Sequence, residues 1–477
     1  MSTQSFSSPA RQALDRTLRL MRDDLAPEVS DDTLLGALTA PRVLVAADVA
    51  NLASPAAQTA LVATTLLVLR AGASVVIDAP DITPGVPQPP LAAGPLVSAL
   101  VDAGADLIEG VTCRARTPEG GATDHAEIAA GHFDVVVLMG DTSCPAFAEV
   151  PSLVVRLGAT ATATHVTATE PSSAAALLPA GSRWDPSLGV PFGALAAAAL
   201  AACEVYKLAM RSLAAWALAP EMFAQLFGVS PETRLSLDPT GEVDADALAA
   251  LADFGAVDAV SGGAIIQAAL FALARVPHVR ADVRVIEPEA GDASNLNRYA
   301  LLRRSALGVP KAEALAAMAA ARRLGGIRVT PVVARYDRST PAALGGLADA
   351  VLVGVDHIPT RWAAQKARPT RLGVGATSHY SAMSSDHARF TPCAWCLHPA
   401  DEPEVGPIPT VAFVSHWAGL LLAWRLVRYR LGLPVDTARQ YDFFTPLRAD
   451  FPAALWRSPV APRRDCPNAC CRGRRVA

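Results

Sequence analysis

Short apolar runs alternate with stretches of helical periodicity along most of this chain. Pro41-Arg-Val-Leu-Val-Ala46 reads as a buried strand, Ala56–Arg70 as a helix and Ser74–Asp78 as the next strand. Asp134–Asp141 is a further apolar strand, and Pro191-Phe-Gly-Ala194 leads into an Ala-rich helix ending near Lys207. The order then recurs. Ala256–Ser261 predicts a strand, Ala264–Arg275 a helix, Val283–Glu287 and Asp349–Asp356 strands, and Val411–Leu431 a helix. Strands alternating with helices predict parallel sheets joined by right-handed crossovers. Two such series predict an α/β chain of two tandem Rossmann-like domains, packed as an intramolecular pseudo-dimer. The domains expected are 1–228 and 246–477, with a linker at 229–245 that holds the Pro/Ser/Asp-rich stretch around Val229–Glu242.

A length of 477 residues suits two or three domains. Hydrophobic residues make up 51% and charged ones 18%, the balance of a core-rich globular protein and not of a disordered one. A net charge of −4 gives no reason to expect a nucleic-acid partner, and the basic tail Arg472-Gly-Arg-Arg475 is short enough to be a solvated end. The polar N-terminus has no apolar run behind basic residues, so no signal peptide is expected. The apolar stretches Ala60–Ile77 and Val190–Ala209 are broken by Arg70, Glu204 and Lys207, and read as core elements, not membrane spans. The expected location is cytoplasmic. Eight cysteines show no disulfide framework, and five of them fall in Cys393-Ala-Trp-Cys396 and Cys466-Pro-Asn-Ala-Cys470-Cys471. Such clusters point to a metal in a reducing compartment.

The halves differ where the first strand hands over to its helix. The first half reads Ala46-Ala-Asp-Val-Ala-Asn-Leu52, whose side chains would obstruct close backbone approach to phosphates; the second has Ser261-Gly262-Gly263-Ala264. After the strand at Val283 comes Glu287-Pro-Glu289, then Ser294-Asn295-Leu-Asn297-Arg298. An acid at the carboxyl end of such a strand can hold a ribose hydroxyl. The amides and guanidinium that follow lie where a triphosphate would, and Lys311, 13 residues after Arg298, offers a second cation. The first half has no such segment after Asp78.

Together these residues resemble the signature of the ThiF/MoeB/ubiquitin-activating superfamily, whose members adenylate carboxyl termini of ubiquitin-like proteins. The resemblance is specific from about Ala256 to Pro399 and weak over residues 1–250. It implies ThiF-type domains, an active second half and an inactive first half. It also implies ATP and Mg2+, with Gly262 and Gly263 as the nucleotide loop, Glu287 in place of the ribose-binding acid and Glu289 as its second acid. Asn295 falls on the family's nucleotide-site Asn, Arg298 and Lys311 on its phosphate-contacting Arg and Lys, and Asp356 on the magnesium ligand, with Arg361 following. By the same resemblance Arg16 or Arg19 is lent across from the first half towards the γ-phosphate. The plainer reading of that segment is the charged face of an amphipathic helix, Leu14–Leu25. Three departures stand out: both strand-end acids are Glu, Ile265 replaces a further glycine, and the segment between the glycine loop and Glu287 is about six residues longer than usual. The family's paired Cys-x-x-Cys turns imply structural Zn2+ on Cys393, Cys396, Cys466 and Cys470, or Cys471 in its place, since the second pair is spaced one residue wider.

The pattern is similar to activating enzymes of bacterial ubiquitin-like conjugation pathways, some of them antiviral. It implies adenylation of the C-terminal glycine of a ubiquitin-like protein, then transfer to a thiol on a conjugating enzyme or sulfur carrier. Further oligomerisation is left open. Two other readings remain: a ThiF-like adenylase of a peptide or small carboxylate in a biosynthetic or sulfur-transfer pathway, and a non-catalytic scaffold. Relatives often place a thioester cysteine in or after a crossover loop. The region taken to match it, Gly373–Pro392, holds none. Cys113, Cys144, Cys203 and a spare Cys471 are the remaining thiols, Cys471 being the best placed and none convincing.

Overall fold

Runs such as Val43-Leu-Val45 and Val135-Val-Val-Leu138 carry apolar side chains on both faces of a pleat, so they need a sheet covered on both sides. The computed structural model provides two such sheets. It describes residues 8–116, 132–143, 149–171, 183–185, 187–400, 408–451, 454–468 and 470. In the first half β1 (Arg42–Ala46), β2 (Ser74–Asp78), β3 (Cys113–Ala115), β4 (Val135–Met139), β5 (Leu153–Ala159), β6 (Ala163–Thr169) and β7 (Glu232–Ser236) pair in the order β3-β2-β1-β4-β5-β6-β7.

The second half repeats this with β8 (Asp253–Val260), β9 (Arg280–Ile286), β10 (Gly326–Val332), β11 (Ala350–Val353), β12 (Arg371–Ser378), β13 (Ser381–Ala388), β14 (Tyr441–Phe444) and β15 (Leu455–Ser458). Their order is β10-β9-β8-β11-β12-β13-β14-β15. Parallel pairing runs from β3 to β5 and from β10 to β12, and the remaining strands are antiparallel. Strand order reverses between β1 and β4 and again between β8 and β11, and ligand crevices form at the carboxyl ends of strands at such a switch.

Two expectations are adjusted. The segment 229–245 is not a bare connector, because β7 pairs with β6 through Leu235 opposite Thr164 and Thr233 opposite Val166. Gly373–Pro392 is not a crossover loop. It belongs to the hairpin of β12 and β13, whose alternating Leu372, Val374 and Ala376 face a core, and whose turn places His379 at φ 48°.

Helices Pro55–Arg70 and Ala264–Leu273 follow the first strand of each sheet, and Phe192–Arg211 and Ala412–Arg430 follow the antiparallel hairpins. These long apolar helices pack against each other between the sheets, with Phe192 edge-on to Trp424 at 5.4 Å and Tyr206 edge-on to Phe413 at 5.5 Å. Phe192–Arg211 is long and apolar enough to cross a membrane, but 94% of its apolar window is buried in this core. Ala412–Arg430 approaches Ala264–Leu273 so closely that a Cβ on Gly419 would lie 2.4 Å from the Cβ of Ala268.

Each half also sends one buried arginine into the other. Arg70, 1% exposed, donates to the carbonyls of Leu296 (2.6 Å), Ala300 (3.3 Å) and Leu302 (2.7 Å). Arg275, fully buried, donates to Gln88 Oε1 (2.8 Å), to the Pro89 carbonyl (2.7 Å) and to the carbonyl of Phe271 in its own half (2.8 Å). Both lie at the carboxyl end of the helix after the first strand of their sheet, Arg70 as its last residue and Arg275 two residues beyond, so the exchange is isologous in the way a two-fold dimer is. Burial pulls Arg70 down to about 9, with Arg303 adding to the effect, and burial lowers Arg275 as well. Carbonyl oxygens are the hydrogen-bond acceptors of both groups; the Arg275 guanidinium also stacks 3.5 Å from the Phe271 ring centre, and Arg70 Nε is left without a partner among the described residues. Removing one strands buried acceptors at about 1–3 kcal/mol each. Arg70→Met and Arg275→Met are each expected to destabilise the fold by about 3 kcal/mol, read as a fall in the denaturant midpoint.

Candidate active site

β8 ends at Val260, and the chain turns sharply through Ser261, whose φ of 108° is a conformation that non-glycine residues rarely adopt. Gly262 follows with little room for a side chain, since a Cβ would sit 3.1 Å from both Glu287 Cγ and Lys311 Cβ. Gly263 caps the helix Ala264–Leu273, so free backbone N–H groups open towards the cleft. From the end of β9, Glu287 reaches back to this loop. Its Oε2 accepts from the Gly262 N–H (2.7 Å) and the Ser261 hydroxyl (3.2 Å), and its Oε1 from the Glu289 N–H (2.9 Å).

These elements line a cavity of about 420 Å3 at the topological switch. Lys311, at the start of the helix Lys311–Ala320, is buried in its wall and bonds Glu289 at 2.6 Å. Burial works against its ammonium, but Tyr299, Glu289 and Glu287 outweigh it and hold the pKa above the usual value. Asn295 locks the 3-10 turn Ala293–Asn295 by accepting from the Asp292 N–H at 3.0 Å. Arg298 bonds the Ser294 carbonyl and Asn297 Oδ1, and burial lowers its pKa. The Tyr299 ring lies between the two cations, 5.2 Å from the Arg298 guanidinium and 5.3 Å from the Lys311 ammonium.

Asp356 lies just past β11 and opens into the same cavity. Its side chain is exposed to the open cleft, yet desolvation by the cleft walls raises its carboxyl against the opposing pull of Arg361, Arg298 and Arg16. Arg361 is anchored on the Val355 carbonyl (3.0 Å) and on His398 Nε2 (3.2 Å). From the first half, Arg16 on the helix Ser8–Arg22 lines the cavity and donates to the Ile408 carbonyl at 3.4 Å. Arg19 does not line it. One turn further along the helix, it faces solvent and pairs with Asp15 at 2.9 Å. So the structure brings Gly263, Glu287, Glu289, Asn295, Arg298, Lys311, Asp356 and Arg16 to one cleft, with Gly262 packed behind it. Ser261, Tyr299 and Thr377 also line the cleft and were not singled out from the sequence. A tyrosine next to Arg298 was the one available signal.

The corresponding place in the first half is filled. Asp48 caps a single turn, Val49–Leu52, and buried Asn51 donates to Asp141 Oδ1 (2.8 Å) and accepts from the Trp184 N–H (3.2 Å). Asp78, the counterpart of Glu287, is paired with Arg116 at 2.8 Å.

Cys393, Cys396, Cys466 and Cys470 meet with all four sulfurs within 4.8 Å of one another. Four of the separations are 3.8, 3.4, 3.6 and 3.6 Å. A tetrahedral Zn2+ with sulfurs at ~2.3 Å would space them by ~3.8 Å, so the set fits a closed, four-thiolate structural site. Asn468 supports it with an N–H to Cys393 Sγ at 3.4 Å. Cys471 and Cys144 lie outside the described residues. Cys113 and Cys203 are buried away from the cleft, and burial pushes both thiols up, Cys113 to about 12.

Residues 270–468 match the model of the ThiF family. The chain carries a ThiF-family domain. The matched span of this ThiF domain holds Glu287, Glu289, Asn295, Arg298, Lys311, Asp356 and three of the clustered cysteines. Gly262, Gly263, Arg16 and Cys470 lie outside it. No curated protein matches the chain. Among solved structures, it is similar to E. coli MccB with MccA-N7isoASN at 15% identity, covering 47% of this chain and 68% of that one, with a TM-score of 0.37. It is likewise similar to E. coli MccB with succinimide at 15% identity, 46% and 67% coverage, and a TM-score of 0.36.

Two outcomes follow for the ThiF domain. Cys466→Ser is expected to bring bound zinc well below stoichiometric, measured by elemental analysis of the purified protein. Because the Asp356 carboxyl is raised in the folded state, its stabilising contribution is complete at low pH and is lost as pH rises through the raised value. Asp356→Asn removes that loss. Its melting temperature should exceed that of the wild type by a margin that grows with pH across an acidic-to-neutral series.

Proposed function

We propose that the protein activates a carboxylate with ATP, forming an acyl-adenylate and releasing pyrophosphate. The observation that supports this reading is the convergence of an acid, an amide, two cations and a second acid, from separate segments of a ThiF domain, on one cleft beside a glycine loop. In the reaction a substrate carboxylate oxygen forms a bond to the α-phosphorus. The bond from that phosphorus to the oxygen bridging towards the β-phosphate breaks, and pyrophosphate carries the electron pair away.

Glu287 would hold the ribose. A carboxylate has about four acceptor positions, three of which are used by Gly262, Ser261 and Glu289, so one remains for a hydroxyl. The Gly263–Ala264 helix start, Asn295, Arg298 and Lys311 would receive the phosphates, with Arg16 adding charge from the first half. These preplaced cations would stabilise charge as it moves onto the leaving group. Asp356 is the residue to hold Mg2+, which when bound screens the phosphate charges. The first half, whose equivalent pocket is filled, would act as scaffold.

The substrate we propose is the C-terminal glycine carboxylate of a ubiquitin-like protein, in a bacterial conjugation pathway. Among the described residues no cysteine lines the cleft, so the acyl group would pass to a thiol on another molecule, such as a conjugating enzyme. Zn2+ in the four-cysteine cluster would pin the tail to the active domain.

ATP–pyrophosphate exchange tests this with Lys311→Ala and Arg298→Ala as controls. Exchange that requires the intact C-terminus of a ubiquitin-like protein encoded nearby, and falls at least ~100-fold in either variant, is the expected result. Exchange with a peptide or small carboxylate instead would reassign the substrate. No exchange with any carboxylate, in folded protein with magnesium, would overturn the enzymatic reading.

A further inference from the structure

Asn297 lies within the phosphate-facing segment but does not line the cleft, and it is completely buried. Its amide nitrogen donates to Thr17 Oγ1 (2.9 Å) and to the Thr410 carbonyl (3.2 Å), and its amide oxygen accepts from Arg298 Nη1 (2.8 Å). Thr17 is also fully buried, on the helix Ser8–Arg22 of the first half, and its hydroxyl lies 3.5 Å from the same Thr410 carbonyl.

This arrangement leaves one orientation for the amide. The Thr410 carbonyl can only accept. The Thr17 hydroxyl, 3.5 Å from that carbonyl, can point its proton there and present a lone pair to Asn297. Two acceptors on one side require the NH2 group there, which turns the oxygen to the guanidinium. A flipped amide would set its NH2 group against the guanidinium and its oxygen against the Thr410 carbonyl. Arg298 is in none of the ion pairs among the described residues. Neutral oxygens from Ser294 and Asn297 orient it, so it keeps its full charge for an anionic ligand. A carboxylate in the place of Asn297 would orient the group and neutralise it.

We infer that Thr17 is a positioning residue of the opposite half's cleft: it fixes the Asn297 amide, and Asn297 aims Arg298 at the phosphates. The inference rests on the adenylation reading for its purpose, and on the hydrogen bonds alone for its mechanism. It gives the first half a part in the site that is separate from the charge of Arg16, carried by an uncharged side chain that never touches the nucleotide.

The test uses the full chain with MgATP as probe. Dissociation constants come from titration calorimetry and KM and kcat from pyrophosphate exchange, for Thr17→Val, Thr17→Ser, Asn297→Ala and the Thr17→Val/Asn297→Ala pair. Thr17→Val keeps the side-chain volume and loses the hydroxyl. It is expected to weaken MgATP binding and raise the KM for ATP about tenfold, the worth of one charge-linked hydrogen bond. Thr17→Ser should restore wild-type values within about twofold, since the hydroxyl is kept. The pair should behave like Asn297→Ala alone, because the effect of Thr17 passes through Asn297. Wild-type MgATP affinity in Thr17→Val, or effects that add in the pair, would overturn the inference. Should Thr17→Val fold poorly, Asn297→Ala decides: unchanged MgATP affinity there overturns it equally. A wild type that binds MgATP but exchanges with no carboxylate sinks the adenylation reading alone, and the binding constants still judge Thr17. A wild type that does not bind MgATP overturns both.

Discussion

The exchange of buried arginines between the halves is the constraint on which the rest of the structure depends. A guanidinium with no carboxylate beside it is costly to bury, and it is tolerated only where fixed carbonyls surround it. Arg70 therefore demands that the chain from Leu296 to Leu302 hold one shape, because three carbonyls of that stretch must point at it together. That stretch contains Asn297, Arg298 and Tyr299. The backbone that presents Arg298 to the cleft is shaped from behind by the other half. Arg275 makes the reciprocal demand on Gln88 and Pro89, where no cleft depends on it. One symmetric interface thus has two unequal consequences.

The cleft shows a second division of labour. Carboxylates hold the backbone and the lysine: Glu287 ties down the glycine loop and Glu289 steadies Lys311. Amides and carbonyls hold the arginine. The strained turn at Ser261 is kept by the bonds from its own hydroxyl to Glu287 and from the Gly263 N–H to that hydroxyl. The four-cysteine cluster reaches the same site from outside. His398, just beyond Cys396, accepts from Arg361 and offers its carbonyl to Trp362, and Gln365 accepts from the Ala394 N–H. The helix that follows Asp356 is thereby fastened to the clip at three points.

Much of this was legible in the chain. The repeat of strand and helix signals predicted two sheets of matching order, because strands buried on both faces leave continuous apolar runs. The residues of the cleft were legible because each needs a particular chemistry close to a particular strand end. Three things were not. Choosing Arg16 over Arg19 requires the phase of a helix against a distant half, which its own sequence does not contain. That Cys470 joins the cluster depends on how the chain turns after Cys466. The hairpin at Gly373–Pro392 was missed because its small residues (Gly373, Gly375, Ser384, Ser385) give a weak alternation, and only pairing of the two strands brings it out. Arg70 and Thr17 were out of reach in the same way, since their partners lie more than two hundred residues away.

The filled pocket of the first half has a consequence for stoichiometry. A dimer of identical subunits would carry two clefts and could let one respond to the other. Here Asn51 and Trp184 occupy the second position, so among the described residues each chain opens one cleft of this kind. On the adenylation reading, a sigmoidal response to nucleotide concentration would arise between chains, not between the two halves of one.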